Sequence, residues 1–100
     1  MTYRVRLRRM AGDDYVRAID WYLSEAPHQV HRFQDEVEAA IARVIERPQL
    51  PPIIYSGLRH VVTHVFPYQL WYLVIEDEEL IDVVAIVHER QDRARLDGRF

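Results

Sequence analysis

The sequence contains no cysteine and no lysine, and only 3 of its 100 residues are glycine. The absence of cysteine excludes disulfide bonds, thiolate metal ligands and a cysteine nucleophile. No apolar run reaches the length of about 20 residues that a transmembrane helix requires. Residues 1–10 carry four arginines and lack the apolar segment of a signal peptide. We therefore expect a cytoplasmic protein that does not enter a membrane.

The missing lysine means that all 13 basic residues are arginine. Arginine favours bidentate contact with carboxylates and phosphates, although a biased base composition produces the same replacement. The net charge of −3 argues against a non-specific nucleic-acid binder, which is usually basic. Local basic clusters remain at the two ends of the chain, at Arg4, Arg6, Arg8 and Arg9 and at Arg90, Arg93, Arg95 and Arg99.

Hydrophobic periodicity predicts one strand, two helices and then a β-rich half. Residues 3–8 alternate as a half-buried strand does. A helix is predicted to start at Gly12-Asp13-Asp14, to break at Pro27, and to be followed by a second helix that ends by Pro48. Apolar runs at 53–55, 58–66, 70–75 and 80–87 predict further strands, with residues 76–79 as a hairpin turn. We predict a single α+β domain over residues 1–100, β-α-α-β-β-β, with a helical hairpin packed on one face of an antiparallel sheet.

Polar and turn residues punctuate the β-rich half at three places. These are Gly57-Leu58-Arg59, Phe66-Pro67-Tyr68 and His88-Glu89-Arg90. If the strands are short, we expect His88 to leave the sheet near the point where Arg59 enters it, which predicts a cationic, titratable cluster. Two plainer interpretations stay open: Arg59 is a strand arginine paired with a carboxylate, and His88 is a histidine that hydrogen-bonds locally.

These motifs, taken in order, resemble the RelE/ParE superfamily of bacterial type II toxins. The resemblance runs nearly the full chain and also includes Tyr3-Arg4-Val5, the pair Trp21-Tyr22 and Tyr72. It implies a toxin that a co-expressed antitoxin neutralises within a hetero-oligomer. Some members of the superfamily are ribosome-dependent mRNA endoribonucleases, while ParE-like members poison DNA gyrase and act in plasmid stabilisation.

The resemblance implies different roles for the same residues in the two branches. In a metal-independent nuclease, Arg59, His88 and Arg90 are the catalytic candidates. The sequence lacks the sheet lysines and the C-terminal tyrosine of that branch, and Phe100 is its terminal aromatic residue. We therefore favour the ParE-like branch, inhibition of DNA gyrase, without catalysis by this chain. The alternatives are the RelE-like nuclease and a non-toxic module that binds antitoxin.

The resemblance also directs attention to partner surfaces. We expect antitoxin contacts at Arg4, Arg6, Arg8 and Trp21, since one of the two adjacent aromatics Trp21 and Tyr22 should face outward. Contacts with gyrase, or with the ribosome and mRNA, are expected from Arg93, Arg95 and Arg99. We predict no cofactor, and no metal site either, because the pairs His28/His31 and His60/His64 lack a third ligand.

Overall fold

The chain forms a four-stranded sheet with two helices packed on one of its faces. The computed structural model describes residues 2–90 and Leu96. In chain order, strand β1, helices α1 and α2, and strands β2, β3 and β4 span Arg4–Leu7, Arg9–Glu25, Val30–Glu46, Arg59–Val62, Tyr68–Ile75 and Leu80–His88. The predicted element order and the helical hairpin are confirmed. Within the described part of the chain, neither helix has the length and apolarity needed to cross a bilayer.

The strand order in the sheet is β1-β4-β3-β2. Strands β2, β3 and β4 pair antiparallel, as predicted, whereas β1 pairs parallel to β4, so the sheet as a whole is mixed. The path of the helices explains the parallel pair. Helix α1 continues the direction of β1, α2 returns, and β2 therefore starts in the same direction as β1. Because β3 reverses that direction and β4 restores it, β4 also runs parallel to β1.

Each helix buries one apolar stripe against the sheet. Phe33 of α2 is fully buried and contacts the rings of Tyr22 and Phe66, with ring centroids 4.9 and 5.6 Å away. Burial of one such side chain is worth about 1.5–3 kcal/mol. The break at Pro27 is confirmed, since a 3₁₀ turn at Pro27–Gln29 separates the helices. The core residues on the sheet include Leu70, Tyr72, Ile81, Val83 and Ile86.

Three elements differ from the prediction, and one of them is the strand predicted over residues 58–66, which covers only Arg59–Val62. Helix α1 begins at Arg9, with a single residue between it and the end of β1, and not at Gly12. Residues 53–55 form no strand; only a single bridge joins Tyr55 to Leu58. Between them, Ser56 and Gly57 have positive φ angles of 48° and 79°, so the backbone turns sharply just before β2. Glycine tolerates that conformation because it has no Cβ atom.

A carboxylate at the predicted helix start would interact favourably with the helix dipole, but the structure gives Asp14 other partners. Its buried carboxylate accepts a hydrogen bond from the backbone N–H of Ile86 in β4, at 3.0 Å, and another from Arg17, at 2.6 Å. Strand β1 pairs only with residues 80–83 of β4. At Ile86, where β1 no longer supplies a carbonyl acceptor, the side chain of Asp14 accepts the strand's N–H group instead. This hydrogen bond fixes α1 beside β4.

The second face of the sheet carries a smaller core. It comprises Leu58, Trp71, Val84, Ala85, Val87 and Leu96. Since both faces of β4 are covered, eight consecutive residues from Leu80 to Val87 are buried. One of them is Asp82, whose side chain is fully buried and pairs with two arginines.

We predict that Asp14→Ala lowers the free energy of unfolding by about 1–3 kcal/mol, because the N–H of Ile86 loses its buried acceptor. Urea unfolding followed by circular dichroism measures the effect. Asp14→Asn keeps one acceptor oxygen and should lose less. Asp20→Ala, on the exposed side of the same helix, is the matched control and should change stability by less than about 0.5 kcal/mol. Equal stability of Asp14→Ala and Asp20→Ala would contradict this account of α1 docking.

Candidate functional site

A groove lies between α1 and the ends of β3 and β4, and we call it the aromatic groove. It has a volume of about 600 Å³ and is lined chiefly by Trp21, Tyr22, Phe66, Pro67, Tyr68 and His88. A second cavity of about 300 Å³ adjoins it, because Trp21, Tyr68 and His88 line both. Asp14 and Arg17 form the polar wall of this second cavity.

The turn between β2 and β3 presents the Phe66-Pro67-Tyr68 corner to the groove. The Thr63 hydroxyl donates to the carbonyl of Phe66, and the N–H of Tyr68 donates to the same carbonyl at 2.8 Å. From α2, the carboxylate of Glu36 accepts the backbone N–H groups of His64 and Val65, at 2.9 and 3.2 Å. The turn predicted at Pro67 is confirmed, and a helix carboxylate holds it in place.

Of the two adjacent aromatics of α1, one is buried and the other is exposed, as expected. Tyr22 is 8% exposed and belongs to the core, whereas Trp21 is 55% exposed. Their rings meet edge to face, with centroids 5.0 Å apart. Tyr22 in turn meets Phe66 edge to face at 5.3 Å. Trp21 is therefore an exposed aromatic side chain on a rigid, buried support, which is the arrangement found at binding hot spots.

His88 closes the groove at the end of β4. Its ring stands edge to face against Tyr68, with centroids 5.4 Å apart. Its Nδ1 atom accepts the backbone N–H of Arg90 at 3.1 Å. Of the three predicted catalytic candidates, His88 and Arg90 thus lie together.

Arg59 lies elsewhere, and the expected convergence of Arg59 with His88 does not occur. Arg59 pairs with Tyr72 of β3, while His88 pairs with Tyr68. Four residues of β3 separate these two positions, which is about 13 Å along the strand. The reason is topological: β2 and β4 flank β3 and run parallel to each other, so the start of β2 lies away from the end of β4.

Arg59 has a different set of partners. Its guanidinium donates to the carbonyl oxygens of Gln49 and Pro51, at 3.0 and 2.6 Å. The neighbouring Tyr72 hydroxyl donates to the carbonyl of Pro48 at 2.9 Å. Both side chains hold the linker that leads from α2 to β2. Arg59 is therefore an anchor of the linker in this structure. This role is close to the plainer interpretation, a strand arginine paired with a carboxylate, except that its partners are backbone carbonyls.

Three predicted antitoxin contacts lie on β1 and the residue that follows it, and we call Arg4, Arg6 and Arg8 the arginine edge. Arg6 and Arg8 both bind the buried carboxylate of Asp82, at 3.1 and 2.7 Å. The hydrogen bond that Arg6 donates to Asp82 raises the pKa of Arg6 above its usual value. The fourth predicted contact, Trp21, is 13 residues further along α1 than Arg8, which is about 20 Å of helix. The structure therefore divides the predicted contacts between two surfaces.

The tyrosines around the core have pKa values above the usual 10. Burial raises the pKa of Tyr22, Tyr68 and Tyr72, and the nearby Arg59 partly offsets this for Tyr72. Burial also raises the pKa of Tyr15, with a smaller contribution from Glu38. All four phenols are therefore neutral near pH 7, so none of them provides a phenolate base.

The roles of three carboxylates, those of Asp14, Glu36 and Asp82, were not predicted from the sequence. Two of them carried a signal. Asp14 shares a helix face with Ala11, Ala18 and Tyr22, and Asp82 interrupts the apolar run of β4. A charged residue in an apolar stripe is expected to have a buried partner.

The predicted target contacts Arg93, Arg95 and Arg99 lie outside the described residues. In residues 2–90 and Leu96, no group of three or more His, Asp or Glu side chains is placed to hold a metal ion.

Comparison with known proteins gives a family and a set of similar folds. The sequence model of a family described as "ParE toxin of type II toxin-antitoxin system, parDE" matches residues 5–93. A chain from the chromosomal ParDE system of P. aeruginosa is similar in structure, with a TM-score of 0.73 at 14% identity, covering 86% of this chain and 95% of the other.

Two further structures have the same fold. The isolated E. coli RelE toxin gives a TM-score of 0.59 at 11% identity, covering 93% of this chain and 90% of that one. A chain of the RelBE2 toxin-antitoxin complex of Mycobacterium tuberculosis gives 0.56 at 17% identity, covering 88% and 99%. No curated protein sequence matches this chain significantly.

We predict that Arg59→Ala lowers the free energy of unfolding by about 1–2 kcal/mol, because two linker carbonyls lose a charged donor at a partly exposed site. The variant should also be cut faster within residues 48–52 in limited proteolysis. Arg47→Ala, an exposed arginine at the end of α2, is the control. Unchanged stability and cleavage in Arg59→Ala would show that Arg59 does not anchor the linker.

Alkaline pH provides a test of the buried phenols. Because the folded pKa values of Tyr22 and Tyr68 lie above 10, these groups stabilise the fold fully below pH 10. This stabilisation is lost as the pH rises through their folded pKa values. We expect the unfolding midpoint in urea to fall above pH 10, and to fall less in the double variant Tyr22→Phe/Tyr68→Phe. Identical pH profiles for the two proteins would be inconsistent with burial of the hydroxyl groups.

Proposed function

This chain belongs to the ParE toxin family of type II toxin-antitoxin systems, and we propose that it arrests growth by poisoning DNA gyrase without catalysis of its own. The proposal has three parts: the separation of Arg59 from His88 within the described residues, neutralisation by a cognate antitoxin, and contact with gyrase through the C-terminal arginines. Gyrase and ribosomes are both cytoplasmic, so the proposed action takes place in the cytoplasm.

The observation that carries the proposal is the separation of Arg59 from His88. Cleavage of RNA requires a base for the 2′-hydroxyl, an acid for the leaving oxygen and a cation at one phosphate, all within hydrogen-bonding reach. About 13 Å of β3 lies between the positions of Arg59 and His88. Arg59 is also engaged by the carbonyls of Gln49 and Pro51. This arrangement favours an inhibitor that acts by binding.

The antitoxin is proposed to bind at Trp21 and at the arginine edge. Trp21 provides an exposed aromatic surface on the aromatic groove, and arginines provide bidentate partners for carboxylates. The similar chain from P. aeruginosa comes from a ParDE system, and the similar chain from M. tuberculosis comes from a RelBE2 complex. We propose that this chain likewise forms a hetero-oligomer with a small, partly acidic partner.

Contact with the target is proposed for Arg93, Arg95 and Arg99. Guanidinium groups suit both carboxylates on a protein and phosphates on gyrase-bound DNA. The triple variant Arg93→Ala/Arg95→Ala/Arg99→Ala, which keeps the buried Leu96, should therefore abolish toxicity while the aromatic groove and the arginine edge remain.

A ribosome-dependent, metal-independent nuclease is the second candidate, because His88 lines the aromatic groove and its Nδ1 atom accepts the backbone N–H of Arg90. That function needs Arg59 to leave its linker carbonyls when RNA binds. It predicts that His88→Ala and Arg59→Ala each abolish toxicity. The gyrase proposal predicts that His88→Ala remains toxic and that the triple variant Arg93→Ala/Arg95→Ala/Arg99→Ala does not.

We predict that induction of the chain alone in a bacterial host reduces DNA synthesis before protein synthesis. Pulse-labelling with thymidine and with methionine over the first minutes measures the order. The triple variant Arg93→Ala/Arg95→Ala/Arg99→Ala, expressed at the same level, is the inactive control, and Asp20→Ala is the matched active control. If protein synthesis falls first and His88→Ala prevents it, the nuclease takes the place of the gyrase inhibitor. If neither falls while the chain is soluble, it is a non-toxic binding module.

A further inference from the structure

The cavity of about 300 Å³ beside the aromatic groove has a polar wall that the proposed function does not use. Four residues of α1 line this cavity at the positions i, i+3, i+4 and i+7 of one helix face: Asp14, Arg17, Ala18 and Trp21. Tyr68 and His88 line it from β3 and β4. The volume lies at the lower end of the range for small-molecule sites, which is about 300–1,000 Å³.

Arg17 brings spare hydrogen-bond donors to the polar wall. The carboxylate of Asp14 is buried, and both of its oxygens are engaged, one by Arg17 at 2.6 Å and the other by the N–H of Ile86 at 3.0 Å. A guanidinium has five N–H donors, and within residues 2–90 the ion pair of Arg17 is with Asp14 alone. The wall can therefore donate further hydrogen bonds more readily than it can accept them, which favours an anionic ligand.

Asp14 also holds the guanidinium in position. Its side chain is fixed from two sides, by the helix that carries it and by its bond to β4. An arginine that a buried carboxylate already orders loses less conformational freedom when a ligand binds. The polar wall is thus preformed, although the Arg17 side chain itself is 62% exposed.

Aromatic rings line the rest of the cavity. Trp21 is 55% exposed and lines both the cavity and the aromatic groove. The ring of His88 stands edge to face against that of Tyr68. Burial raises the pKa of Tyr68, so its hydroxyl is neutral near pH 7 and adds no negative charge to the site. A flat ring that binds beside these side chains gains both aromatic contacts and burial of its own surface.

We propose that this cavity binds a small aromatic carboxylate, with its ring against Trp21 and Tyr68 and its carboxylate on the guanidinium of Arg17. A guanidinium binds a carboxylate through two parallel hydrogen bonds. Arg17 and Trp21 are four residues apart on the helix, so one small ligand can contact both side chains. A cation fits less well, because it would have to displace Arg17 from Asp14. The binding does not rest on the proposed function.

The experiment uses the full chain, labelled with nitrogen-15, at pH 7. Its three probes share one ring and differ in charge: indole-3-acetate carries a carboxylate, indole is neutral and tryptamine carries an ammonium group. We expect indole-3-acetate to shift the backbone signal of Arg17 and the indole N–H signal of Trp21. The indole signal of Trp71, which lies on the other face of the sheet, should not move. Indole should bind about threefold to tenfold more weakly, and tryptamine more weakly still.

Two pairs of variants separate the charge from the ring. Arg17→Gln should weaken binding of indole-3-acetate about threefold to tenfold and remove its advantage over indole, whereas Arg32→Gln, on the exposed surface of α2, should change neither. Trp21→Ala should weaken binding of both probes by a similar factor. Leu23→Ala, which removes an equally exposed apolar side chain from α1, should leave binding unchanged. Urea unfolding checks that all four variants are folded.

Several results would overturn the proposal. These are no signal shift with millimolar indole-3-acetate, equal affinities for the three probes, shifts that include Trp71 but not Trp21, or equal affinities of Arg17→Gln and Arg32→Gln. Tighter binding of a short peptide that ends in tryptophan would assign the cavity to the C-terminus of a protein instead. Because the readout is ligand binding, a chain that fails to inhibit gyrase can still confirm the proposal, and the two failures are distinguishable.

Discussion

The fold depends on the parallel pairing of β1 with β4, which Asp82 fastens from the second sheet face. Its fully buried carboxylate binds Arg6 and Arg8, so the strand and the first residue beyond it are held by one side chain. A buried carboxylate needs such partners, because an unpaired charge there is strongly unfavourable. With β1 fixed in this register, α1 must start beside Val83 and run along β4. The open edge of β1 and the position of the aromatic groove are both consequences of that geometry.

The aromatic groove forms where β1 has ended and α1 has replaced it beside β4. Asp14 accepts the N–H of Ile86, which keeps α1 close to the strand and leaves Trp21 opposite His88. Glu36 fixes the other wall by holding the turn before Phe66. The groove is therefore built on two helix carboxylates that reach backbone N–H groups of the β-rich half. Its exposed aromatic surface is preformed, so a partner need not order it on binding.

Local sequence patterns were sufficient to predict much of the fold, but the relative placement of distant elements did not follow from them. Apolar periodicity and Pro27 were sufficient for the helical hairpin, and the pair Trp21-Tyr22 was sufficient for one exposed aromatic, because both depend on helix geometry alone. The direction of β1 relative to β4 depends on the route of two helices, and it decided that Arg59 does not meet His88. The bonds of Asp14 and of Arg6 join residues 72 and 76 positions apart. A buried charge in an apolar stripe predicts that such a bond exists, but the sequence does not identify the partner residue.

We have proposed that this chain acts on gyrase by binding and not on RNA by catalysis. The most direct measurement adds the purified chain to purified DNA gyrase with relaxed plasmid and ATP, and in parallel to translating ribosomes with a labelled mRNA. The account predicts that supercoiling stops, that cleaved DNA accumulates with gyrase, and that the mRNA stays intact. Normal supercoiling together with cleavage of ribosome-bound mRNA would contradict it.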